Sequence, residues 1–77
     1  MKIIFFYSEE NKIGTDKLPK IYSKCKEIEA DFESINIDND EDAMQDFNIS
    51  SIPAVVKVDD DGKMTTLYGK NLLKLTF

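Results

Sequence analysis

Few side chains in this sequence can do covalent or redox chemistry. The 77 residues hold one cysteine, Cys25, and no histidine. A single thiol with no imidazole cannot build a zinc site. Thiol–disulfide exchange needs one thiolate to attack and a second thiol to resolve the mixed disulfide, and the second is missing. Cys25 follows Ile21 and Tyr22 by one helical turn on an apolar stripe, so it reads as a small core residue. Asp38, Asp40 and Asp42 have the spacing that opens a calcium loop. That loop needs glycine next and a glutamate later, at positions occupied by Ala43 and Ile49. Helix capping accounts for these acids, and turn chemistry accounts for Asp59, Asp60 and Asp61. No metal and no cofactor is expected. The aromatic run Phe5-Phe6-Tyr7 reads as core rather than as a stacking platform for bases.

Charge narrows the partners further. The net charge is −5, and all ten cations are lysines. Residues 1–26 carry six lysines against three acids, whereas residues 27–56 carry nine acids and no base. Without arginine, bidentate contacts to phosphates or base edges are unavailable, so nucleic acid is not an expected partner. An acidic small domain points to a protein. The sequence shows no secretory signal and no apolar stretch near the roughly 20 residues of a membrane helix, so a cytoplasmic protein without a membrane partner is expected.

Six segments and a short C-terminal remainder must position whatever site exists. "KIIFFY", residues 2–7, is a continuous apolar run and predicts a strand buried on both faces. Leu18, Ile21, Tyr22, Cys25 and Ile28 recur at three- and four-residue steps, predicting an amphipathic helix over 16–30. Asp16 is its expected N-cap, with Pro19 in the first turn. "FESINID" predicts a second strand, and "NDEDAMQDF" a short acidic helix capped by Asn39 or Asp40, with Ala43, Met44 and Phe47 inward. Pro53 has no N–H for a strand ladder and so opens the third strand, "AVVKV". A turn at Gly62 leads into "KMTTLY", the return strand of a hairpin, which Gly69 breaks. The remainder, "KNLLKLTF", forms a short C-terminal element, either two helical turns or an apolar docking patch.

This order, β-α-β-α-β-β in one domain spanning 1–77, resembles the thioredoxin family over nearly the whole chain. "NIDNDEDAMQDFNISSIPAVV" looks like the family's stretch in which an Asn-Ile-Asp strand end precedes a short helix and an Ile-Pro whose proline is cis. Pro19 lies five residues after Gly14, as a family proline lies five residues after the second active-site cysteine. The resemblance implies a minimal thioredoxin-like α/β fold, with a four-stranded mixed sheet flanked by helices. It places the family's Cys-x-x-Cys on Asn11-Lys12-Ile13-Gly14, at the start of the first helix. Neither end is a cysteine. The family's buried acid falls on Phe5, its accompanying lysine on Ser34, and the aromatic before the motif on Glu10.

The resemblance therefore implies a redox-inactive module rather than an enzyme. In the family the cis proline lies against the active-site loop, and the residue before it presents free backbone groups to an extended peptide. By that likeness Ile52 and Pro53 bind an unidentified protein partner, with Asn11, Lys12, Ile13, Gly14 and Gly69 forming the rim; the acidic face is the other surface on offer. The alternative is a thioredoxin- or glutaredoxin-like oxidoreductase working through Cys25 or with a partner's cysteines. Small size, lost chemistry and a composition rich in lysine, asparagine and isoleucine suit a protein of a phage or other mobile element.

Overall fold

A computed structural model describes residues 1–69. The expected C-terminal element over 70–77 lies outside the described residues. The elements are β1 (Lys2–Tyr7), α1 (Leu18–Glu27), β2 (Asp31–Asn36), a single 3₁₀ turn (Ile37–Asn39), α2 (Ala43–Asp46), β3 (Ala54–Val58) and β4 (Met64–Tyr68). They form one mixed sheet in the order β2-β1-β3-β4. β1 pairs parallel with β2 and antiparallel with β3, and β3 pairs antiparallel with β4. The architecture is the expected α/β one.

The continuous apolar run of β1 is explained by its central place. Its side chains alternate between two cores. Ile3 and Phe5 join Ile21, Cys25 and Val55 beneath α1. Ile4 and Phe6 join Ala43, Ile49, Ala54 and Val56 on the other face. Each fully buried side chain of this size contributes about 1.5–3 kcal/mol of transfer free energy, so β1 alone supplies a large part of the stability of so small a domain. Edge-on aromatic pairs flank the cores, Phe6 with Phe47 at 5.2 Å and Tyr22 with Phe32 at 5.5 Å between ring centroids.

Cys25 is 1% exposed within the first core, and burial pushes its thiol above the ordinary range. A maleimide or disulfide reagent should therefore label it slowly in the native protein and fast in denaturant. Equal rates in the two states would remove Cys25 from the core.

Three expected boundaries are corrected. α1 starts at Leu18, and its N-cap position is Lys17 with no side-chain cap bond, so Asp16 does not cap it. Pro19 does lie in the first turn. The second strand stops at Asn36 because the Asn36 side chain accepts from the Asp38 amide at 3.1 Å and starts the 3₁₀ turn. Likewise Asp40 accepts from the Asp42 amide at 3.3 Å, which leaves α2 only four residues long, with neither Asn39 nor Asp40 at its N-cap. Short polar side chains here compete with the backbone for its own donors.

Candidate functional site

The loop joining β1 to α1 is closed by its own backbone. Ser8 and Ile13 form an isolated antiparallel bridge, with Ser8 N–H donating to Ile13 at 2.9 Å and Ile13 N–H donating to Ser8 at 2.8 Å. Lys12, at the tip of the turn, has a positive φ of 53°. The chain then turns at Gly14, whose carbonyl accepts from the Lys17 amide, before α1 begins. Residues 11–14 thus form a turn well ahead of the helix, not the helix start expected for them.

The loop is also tied to the end of β2. Ser8 is fully buried. Its hydroxyl donates to Asp38 Oδ1 at 2.7 Å and accepts from both the Asn11 amide and Asn11 Nδ2 at 3.2 Å. The Glu10 amide donates to Asp38 Oδ2 at 2.7 Å. One carboxylate on a neighbouring element therefore holds the leading arm of the turn at two points. The Glu10 amide first, and then the Ser8 hydroxyl, hold the Asp38 carboxyl below its ordinary range. Ser8 and Asp38 were not among the expected site residues. The only sequence signal was their residue types, and the pairing spans 30 positions.

A folded-state pKa that is depressed stabilises the fold above the unfolded pKa, and the contribution is lost as pH falls through the folded value. The loop should accordingly keep its shape from neutral pH down through ordinary carboxylate titration, and loosen only below it. The Glu10 amide resonance should report that transition, and Asp38→Ala should speed its hydrogen exchange about tenfold or more at neutral pH. A Glu10 midpoint at or above the usual aspartate value would break the proposed clamp.

Gly14 is the point where loop and proline meet. It is buried, with φ +84°, and a Cβ placed on it would stand 2.9 Å from Pro53 Cβ, 3.2 Å from Phe5 Cζ and 3.3 Å from Tyr7 Cβ. Only glycine admits this approach together with this backbone. The Ile52–Pro53 peptide is cis, and both residues are partly buried, with Ile52 against the second core. The approach to this junction is steadied by the Ser50 amide, which donates to Tyr68 Oη at 3.3 Å.

Not every expected rim residue converges here. Lys12 lines an open cleft with Tyr7, Glu9, Thr15 and Leu18. Asn11 turns its side chain back onto Ser8. Gly69 lies one residue beyond the Ala54–Tyr68 pair, at the same end of the sheet as Pro53, but among the described residues no atom lies within 4 Å of where its Cβ would stand. Among the described residues, no group of three Asp, Glu, Cys or His side chains could hold a metal ion, and Asp38 is already committed to the loop. No described helix is long and apolar enough to cross a membrane.

No protein-family model matches this chain, and no curated protein matches it by sequence. Solved structures do match. Thioredoxin 1 of the thermophilic eubacterium Thermosipho africanus superposes with a TM-score of 0.78 at 21% identity, covering 91% of this chain and 79% of that one. Fasciola hepatica thioredoxin superposes with a TM-score of 0.77 at 26% identity, covering 96% of this chain and 72% of that one. The fold of this chain is thioredoxin-like. On that fold, the thioredoxin-like chain carries a glycine packed on its cis proline and a turn hung from Asp38, with its one thiol buried under α1.

Proposed function

We propose that this chain is a redox-inactive protein-interaction module of the cytoplasm that receives an extended peptide of a partner beside Ile52 and Pro53, with residues 11–14 as one rim and Gly69 at the end of the groove. The observation that carries this reading is the packing of Gly14 on Pro53. A side chain at position 14 has no room, so a resolving thiol has no place to stand. The clamp on Asp38 supports the same reading, because it holds the rim in one shape without a partner, which lowers the ordering cost of binding. An oxidoreductase working through Cys25 is disfavoured by that thiol's burial.

Two measurements test the proposal. In an insulin-reduction assay with dithiothreitol the chain should leave the uncatalysed rate unchanged; turnover above it would overturn the redox-inactive half. For the binding half, Ser51→Arg, at an exposed position next to Ile52, should obstruct the groove while leaving both cores intact. A protein captured from the source cell by the wild-type chain should be lost with Ser51→Arg at unchanged melting temperature. Equal capture by both would move the binding site elsewhere.

A further inference from the structure

Among the described residues, nothing pairs with the edge of the sheet opposite β4. β2 is the terminal strand, paired only with β1, and no strand among the described residues lies beyond it. The direction of its backbone groups follows from one bond. The Asp31 amide donates inward to Met1 at 3.0 Å. Donor and acceptor of one residue point to the same side of a strand, and the side alternates along it. Asp31, Glu33 and Ile35 therefore spend their backbone groups on β1, whereas Phe32 and Ser34 direct their N–H and C=O outward. These are the unpaired groups through which an added strand would join.

Charge selects what could join. Asp31 and Glu33 are exposed and share the α2 side of the sheet with Ile35. They lie in the segment 27–56, which carries nine acids and no base. Glu33 meets Lys2 at 2.9 Å, but both side chains are about half exposed, and such a pair contributes little. A second copy of this chain would set Asp31 and Glu33 against their own counterparts, and like charges opposed across strands destabilise the pairing. A strand carrying lysine or arginine at alternate positions meets no such penalty.

We infer that the outer edge of β2 is a docking edge for an extended basic segment of another protein, which adds antiparallel or parallel to Phe32 and Ser34 as a fifth strand. Backbone hydrogen bonds supply the affinity, and Asp31 and Glu33 select cationic side chains on one face. Charged edge residues also block indiscriminate pairing, so the same two acids exclude a second copy and admit a basic partner. This surface does not depend on the groove at Pro53, which lies beyond β1 on the other side of the sheet.

The probe is an acetylated, amidated heptapeptide alternating lysine and valine, with its glutamate–valine counterpart as control, followed by amide exchange and resonance shifts in the full chain. The lysine peptide should slow exchange at Phe32 and Ser34 about tenfold or more, leave Asp31 and Glu33 amides unchanged, and weaken several-fold in high salt. The glutamate peptide should do nothing. Ser34→Pro removes an outward N–H without touching the β1 ladder, and should abolish protection by the lysine peptide. The pair Asp31→Lys and Glu33→Lys should reverse the preference to the glutamate peptide, which tests the edge even where Ser34→Pro fails to fold. The inference is overturned if neither peptide protects these amides, if both do so equally, or if protection grows with protein concentration alone. It is equally overturned if Phe32 and Ser34 are already protected in the peptide-free chain.

Discussion

Phe5→Asp, which restores the acid that the family resemblance places at this position, is expected to unfold the domain at neutral pH. Phe5 is fully buried among Ile3, Ile21, Cys25 and Val55, with Tyr7 stacked on it at 5.9 Å. None of these neighbours can ionise to a cation. Losing the ring alone costs about 3–5 kcal/mol, and an unpaired buried carboxylate adds several more. A domain of this size has a total stability on the order of 5 kcal/mol, so the sum exceeds what is available. Burial would raise the carboxyl pKa, so the penalty is smallest below the unfolded value and grows as pH rises. Phe5→Leu, which keeps an apolar side chain, should cost only about 1 kcal/mol. Circular dichroism through a urea series at pH 4 and pH 7 separates the two variants. A cooperative Phe5→Asp transition at pH 7 near the wild-type midpoint would show that the site tolerates a charge.

The second large effect is expected at Gly14. A β-carbon there meets a double penalty. The positive φ costs a side-chain-bearing residue about 1–2 kcal/mol, and the 2.9 Å approach to Pro53 Cβ must be relieved by moving a proline ring. Gly62 provides the internal comparison, since its φ is +88° but an added Cβ meets nothing within 4 Å. Gly62→Ala should therefore show the backbone cost alone and Gly14→Ala a clearly larger one. At about 4–8 °C per kcal/mol for a domain of this size, Gly14→Ala should lower the melting temperature by roughly 10 °C or more. Asn11→Cys with Gly14→Cys should be destabilised at least as much and should gain no insulin-reductase turnover. If Gly14→Ala melts with Gly62→Ala, the contact with Pro53 is soft, and the main support for a site closed to thiol chemistry is lost.

Residue types and their local periodicity were enough to expect most of the scaffold. A six-residue apolar run has to be covered on both faces, and β1 is covered on both. A stripe at three- and four-residue steps has to lie on something, and Ile21 and Cys25 lie on the sheet. The absence of a second cysteine and of any histidine limits the chemistry whatever the fold. These inferences hold because propensity and side-chain period act over a few residues, where the sequence itself is the environment.

The features that shape the site act over longer range. The start of α1 moved because residues 8–13 close on themselves through Ser8 and Ile13, and nothing in Asp16 shows that the preceding chain is already committed. Asp38 reads in sequence as one more acid of an acidic stretch. Only the fold brings it to the Ser8 hydroxyl and the Glu10 amide, because the parallel pairing of β1 with β2 carries their ends to the same edge. The contact between Gly14 and Pro53 joins a turn to a strand entry from distant parts of the chain. Its physical content, a missing side chain that lets two backbone segments touch, is set by the packing of β1 between β2 and β3, and no local pattern encodes it.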